Sequence, residues 1–306
     1  MQTTLRHSVS LSGTGLHSGA PAEIHIRPVG ANTGIVFRRT DVAGVQGVIP
    51  ALWKNVEVSP LNTRLRNGYG VSVSTIEHVM AALAGCGVHN ALVEIDGPEV
   101  PIMDGSAAPF VRELLAAGLT GLDTPLRAIK ILREVTVERG DAHATLSPAT
   151  SLQIDFTIDF PAAAIGRQRK VLNLANGSFV RELCDSRTFC LASDITAMRV
   201  EGRALGGTLD NAVVFDGDEV LTPGGLRHGD EPVRHKMLDA LGDLFTAGAP
   251  ILGRYTGHKS GHALTNLLLR KLFATQGAWR MIDCTPSDAA RLPGVGVSAK
   301  DLSAVA

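Results

Sequence analysis

The sequence predicts an α+β fold made of two similar halves, and three observations lead there. The chain has 306 residues, about two domains at roughly 150 residues each. Its apolar residues switch repeatedly between the period of two that marks strands and the 3.6-residue spacing of helices. The order of element types also begins again after a polar seam at Thr120 to Pro125. With 44% hydrophobic and 19% charged residues, a disordered chain is excluded. A chain of this size buries about three quarters of its unfolded surface, so its core needs no disulfide or metal staple.

The first 60 residues read as β structure, with short runs such as Ala22–Ile26 and Gly34–Phe37 between Gly, Pro and Asn turns. From Ser74 to Ala84 the period changes. Ile76, Val79, Met80 and Leu83 fall on one helical face, Ser74 or Thr75 is placed to cap the start, and Gly85-Cys86-Gly87 stops it. Asn90–Asp96 is a strand, Pro98–Gly105 a loop and Ala108–Ala117 a second helix. After the seam, Arg127–Val137, Thr145-Leu146 and Leu152–Phe160 read as strands; in the last, Ile154, Phe156, Ile158 and Phe160 alternate. Ser178–Cys184 starts a helical region, Gly202–Thr208 is a glycine-rich loop and Ala212–Phe215 a short strand. Val233–Ala247 and Leu264–Thr275 are helices with Leu, Met and Phe on one side. Each half thus runs strands, helix, strand, helix. The predicted domains are 1–123 and 124–306.

With 29 basic and 30 acidic residues and no basic stripe, the electrostatic footprint of a nucleic-acid binder is missing. No apolar run approaches about 18 residues, so no integral membrane span is expected. The start, Met1-Gln2-Thr3-Thr4-Leu5-Arg6-His7, has no apolar leader core. Cysteines at 86, 184, 190 and 284 lack C-x-x-C spacing and read as free thiols, which makes a cytoplasmic address the expectation.

Six segments contain residues suited to chemistry. In Arg234-His235-Lys236-Met237-Leu238-Asp239, the His and the Asp are i and i+4 on a helix, within reach of one ion; Asp243 lies one turn further on. The same pattern also describes a polar helix face. Glu77-His78 sets a carboxylate beside a metal-competent imidazole, half of a zinc-hydrolase arrangement, though capping explains the pair as well and H-E-x-x-H is absent. Gly257-His258-Lys259-Ser260-Gly261-His262 is either a phosphate cradle at a helix start or a plain turn. Gly13–Gly19 and Pro101–Ala107 read as tight structural loops. Ser186-Arg187-Thr188 adds one hydroxyl in a loop.

In their order along the chain, G-x-G-L-H-S-G, S-T-I-E-H-V-M-A-A-L-A-G, P-I-M-D-G-S-A-A-P-F, R-T-F, V-R-H-K-M-L-D-A-L-G-D-L and K-S-G-H-A-L-T-N resemble the LpxC family. These are deacetylases of UDP-3-O-acyl-N-acetylglucosamine in bacterial lipid A synthesis. The resemblance covers nearly the whole chain. It implies two domains, each a two-layer β/α sandwich, with the helices packed between the two sheets. It implies Zn2+ held by His78, His235 and Asp239 with a fourth position open, Glu77 as general base, and Thr188 as a hydroxyl at the oxyanion. His262 matches the catalytic histidine and Asp243 its orienting carboxylate. Lys236 and Lys259, with the Asp159-Phe160 strand end, match residues that meet the nucleotide-sugar. The segment from Phe189 to Gly207, Met198 included, is expected to wall an apolar passage for the 3-O-acyl chain. One departure shows: several members have a Cys near the metal, whereas Asn62-Thr63-Arg64 here offers no thiol.

The implied reaction is hydrolysis of the acetamide to acetate and UDP-3-O-acyl-glucosamine by a monomeric chain. A zinc amidase for another N-acylated sugar, or a nucleotide-sugar binder with a structural metal, are the alternatives. Glu77 speaks against the latter, since a structural site has no use for an adjacent base.

Overall fold

A computed structural model describes residues 1–302. Its two main sheets share one topology. In the first, the neighbours run Val9–Thr14, Pro21–Pro28, Ala91–Ile95, Ile35–Arg39 and Val48–Pro50. In the second, Val135–Arg139, Ala142–Ser147, Ile251–His258, Leu152–Asp159 and Arg167–Asn173 follow the same order. Each central strand is antiparallel to the hairpin strand on one side and parallel to the strand on the other. Arg127–Ile131 and Trp279–Asp283 extend the second sheet to seven strands.

Six helices matter for the site: α1 (Glu77–Cys86), α2 (Ala108–Ala117), α3 (Ser178–Glu182), α4 (Ala192–Val200), α5 (Glu231–Phe245) and α6 (His262–Ala274). In each half one helix enters the central strand and one leaves it: α1 and α2 in the first, α5 and α6 in the second. The helices lie between the sheets. α1 packs on α5, α2 touches the first sheet, and α5 and α6 touch the second. Every residue of α1 is buried, as expected of a helix enclosed on all sides. One hydrophobic core runs through both halves.

The close approach of α5 to α1 depends on Gly242 of α5. A Cβ there would lie 2.0 Å from the Glu77 carbonyl oxygen, so only glycine lets α5 sit this near the start of α1. Ahead of α1 and α5, each half inserts a small three-stranded sheet. One comprises Val56–Glu57, Arg64–Arg66 and Ser72–Val73; the other comprises Phe189–Leu191, Val213–Asp216 and Glu219–Val220, with α4 inside it.

Four sequence expectations change. Neither Ser74 nor Thr75 caps α1, which starts from Ile76 with no side-chain cap among the described residues. Thr75 instead has φ +59° and donates its hydroxyl to buried Glu99. Arg127–Val137 is two strands broken at Leu132–Glu134. The final long helix starts at His262, two residues early. Strands Arg167–Asn173, Ile251–His258 and Trp279–Asp283 carried no recognisable signal. Ile251–His258 contains Gly253 and Gly257, which weaken a strand pattern. They are needed because a Cβ would meet Ile131 at 2.5 Å or Phe156 at 2.9 Å.

Candidate active site

The two halves bring α1, α5 and α6 to the floor of one cavity of about 600 Å³. Glu77 and His78 open α1, His235, Lys236, Asp239 and Asp243 lie on α5, and His262 opens α6.

His78 Nε2 and His235 Nε2 stand 3.6 and 3.4 Å from Asp239 Oδ1. Tetrahedral ligands at about 2.1 Å from an ion lie about 3.4 Å apart, so this spacing suits a metal. These three form the metal-competent group among the described residues. His235 Nδ1 lies 3.0 Å from the Ser186 carbonyl, which accepts its proton and leaves the Nε2 lone pair facing inward. Burial keeps this imidazole neutral, with its pKa lowered to about 4. Asp239 Oδ1 is buried and has no hydrogen-bond partner among the described residues, which an ion would supply. Its other oxygen accepts from Lys236 Nζ at 2.8 Å. Burial would favour the neutral acid, but the Lys236 ammonium helps hold Asp239 well below the usual carboxylate range.

Beside this group stand a buried carboxyl and an imidazole, Glu77 and His262. Burial pushes the Glu77 carboxyl up, partly offset by His262 and His78. Its Oε2 accepts from the Thr63 N–H at 3.0 Å, and its Oε1 faces His262 Nε2 at 4.0 Å. The Nδ1–H of His262 donates to Asp243 Oδ2 at 2.8 Å. Burial opposes its charge, yet Asp243, Glu77 and Asp239 raise the imidazolium to about 9.

The cavity walls contain the other expected residues except Lys259. Thr188 is fixed by its N–H to the Gly105 carbonyl and by its carbonyl to Val213. Phe189 meets Phe160, Phe215 and His235 edge-on at 5.4, 6.1 and 6.3 Å. Met198 lines the cavity from α4, with Leu191 and Ile195. Lys236 also lines it, but its ammonium is engaged by Asp239. Lys259, with φ +49°, stands outside the lining and pairs with Asp141 at 2.9 Å and Asp159 at 3.2 Å.

Several contributors carried no sequence signal for their roles. Glu99 accepts from the His17 and Ser18 amides, at 2.8 Å each, and so shapes the Gly13–Gly19 loop. That loop in turn holds Leu205 and Gly206 through the carbonyls of His17 and Leu16. Glu231 takes the Arg187 guanidinium and the amides of Arg187 and Arg227, which fixes the Ser186–Thr188 loop. Thr63 touches both Glu77 and Asp243.

A model of the family LpxC, UDP-3-O-acyl N-acetylglycosamine deacetylase, matches residues 2–274. The chain belongs to the LpxC family. Similar curated proteins agree with that membership. One from Phenylobacterium zucineum, named UDP-3-O-acyl-N-acetylglucosamine deacetylase, is 49% identical over 280 residues, covering 92% of this chain and 96% of that protein. Relatives with the same name from Sodalis glossinidius and Shewanella sp. (strain W3-18-1) are 47% and 46% identical, covering 95% and 92% of both chains in each comparison. The LpxC match spans both halves and therefore every residue of the cavity floor.

Proposed function

We propose that the protein is a zinc-dependent hydrolase acting in lipid A biosynthesis. It removes the N-acetyl group of UDP-3-O-acyl-N-acetylglucosamine to give acetate and UDP-3-O-acyl-glucosamine. The observation that carries the reading is the convergence, in one cavity, of a metal-competent His78, His235 and Asp239 set with a buried carboxylate and a cationic imidazole. Membership of the LpxC family and the names of the relatives supply the substrate.

His78, His235 and Asp239 would hold a zinc ion, which would make a bound water more acidic and polarise a carbonyl. Glu77 accepts the proton of the attacking water at Oε1, its Oε2 being held by Thr63. His262 Nε2–H and the Thr188 hydroxyl donate to the oxyanion as it forms. The leaving amine takes its proton from Glu77 or His262, which face the same space. Phe160 and Phe189 flank the sugar, and Met198 helps wall the acyl chain. Lys236 steadies Asp239 at the sugar end. Lys259 meets the nucleotide only by leaving Asp141 and Asp159.

The same reading takes 1–123 and 124–306 as the domains. It also takes the protein as a monomer. A cytoplasmic location is supported by four cysteines that are unpaired among the described residues. No helix among the described residues is long and apolar enough to cross a membrane.

The test is acetate release from the acylated substrate, with and without a chelator, alongside metal analysis. Stoichiometric zinc and chelator-sensitive release are expected. A chain that released acetate equally well without metal would refute the zinc assignment, and a chain that bound zinc but released none would refute the reaction.

A further inference from the structure

Thr63 uses all three of its polar groups on different parts of the site. Its N–H donates to Glu77 Oε2 at 3.0 Å, and its carbonyl accepts from the Ile76 N–H, at the cap of α1, at 3.3 Å. Its hydroxyl donates to Asp243 Oδ1 at 2.5 Å, across to α5 and 180 residues away in sequence. The side chain is buried. We propose that Thr63 is a positioning residue that orients Glu77 and, through Asp243, His262. This rests on the deacetylase reading above.

A carboxylate turns easily about its last side-chain bond, because that torsion is broad. Asp243 has one oxygen held by Thr63 and the other by His262 Nδ1. With both engaged, the carboxylate plane is fixed and so is the imidazole that leans on it. Without the hydroxyl, Oδ1 is a buried acceptor lacking its donor, and the group turns to regain one. The ring then loses its aim, and Nε2 leaves its position opposite Glu77 Oε1. On the other arm, the amide of Thr63 occupies Oε2, so Oε1 is the oxygen that faces the cavity. One residue therefore sets the alignment of a base on α1 with an acid on α6, by way of α5.

Thr63→Val keeps the shape and the amide and removes only the hydroxyl; Thr63→Ser keeps the hydroxyl. Expected for T63V is a kcat roughly 10- to 100-fold lower, the scale of one hydrogen bond to a charged group, with KM little changed. T63S restores most of the loss, and zinc content stays that of the parent in both. T63V adds little in a His262→Ala background, because its effect passes through that ring. A second readout needs no turnover. In 15N-histidine-labelled protein, the His262 Nδ1 proton gives a sharp, slowly exchanging NMR signal in the parent and T63S, and a broadened one in T63V. Thr63→Ala makes the same comparison if valine prevents folding. The proposal is overturned if T63V matches the parent in kcat and NMR signal, or if its loss multiplies in full with that of H262A. A parent that releases no acetate overturns the deacetylase reading, while the imidazole signal still decides whether Thr63 holds His262.

Discussion

Glu77 and His262 stand 4.0 Å apart, and the proposed mechanism requires them to carry opposite charges. Burial raises the first, and the surrounding carboxylates raise the second to about 9 against the burial that would lower it. Activity therefore rises as Glu77 loses its proton and falls as His262 loses its own. The plot of kcat/KM against pH should be bell-shaped, with its acid limb above the ordinary carboxylate range and its basic limb near 9. Glu77→Ala should keep the metal, lose roughly 10²–10⁴-fold in rate and lose the acid limb. A flat profile in the parent would count against this pair. Asp239 is tested differently, since Asp239→Ala removes a proposed ligand oxygen and leaves Lys236 without its partner. Metal content and turnover should fall together; a variant with full zinc and full rate would refute the ligand assignment.

At the scale of elements, the crossing of α1 and α5 sets the distance between His78 and the two metal-competent residues on α5. In an exposed helix, Gly→Ala would gain about 1 kcal/mol. At Gly242 the new methyl would sit 2.0 Å from a backbone oxygen, and overpacking of this kind costs about 1–3 kcal/mol or more. The steric term wins, so Gly242→Ala should lower the urea midpoint and weaken metal binding as the helices separate. Unchanged unfolding would show that the crossing can relax. α4 makes a separate contribution. Its Met198 faces the cavity, while Val200 is exposed. Burying five methylenes of an acyl chain supplies roughly 4 kcal/mol, near a thousandfold. Part of that should be expressed in the transition state. Met198→Asp should therefore reduce kcat/KM for the acylated substrate far more than for UDP-N-acetylglucosamine, which should itself be a much poorer substrate. Equal effects on both would remove α4 from the acyl passage.

Across the whole molecule, one core spans both halves and the metal-competent group draws residues from each. Unfolding by heat should then be a single cooperative transition, followed by calorimetry. A ligand present at 100 times its Kd stabilises by about 2.7 kcal/mol, so chelation should lower the single Tm by some degrees without splitting it. Two resolved transitions, or a Tm indifferent to chelation, would mean that the halves fold independently or that the ion bridges nothing.

Much of this protein could be read from local pattern. α2 lies at its expected bounds, and the helices bearing Glu77-His78 and His235–Asp239 were visible from apolar spacing, which is decided within a turn or two of chain. The i, i+4 placement of His235 and Asp239 is likewise local geometry. Family motifs extended the reading to Thr188, Asp243 and His262. Tertiary structure decided the rest. The central strand Ile251–His258 is concealed by glycines that only its neighbours Ile131 and Phe156 make necessary. Thr75 leaves its capping role because a distant carboxylate, Glu99, takes its hydroxyl. Thr63 stood out in the sequence only for an absent thiol. Its contacts to Glu77 and Asp243 exist only once α1 and α5 have packed. Hydrophobic period and spacing record what one segment prefers. The charge on His262 and the convergence of the metal-competent residues depend on burial and on carboxylates brought together from both halves, and no local window contains them.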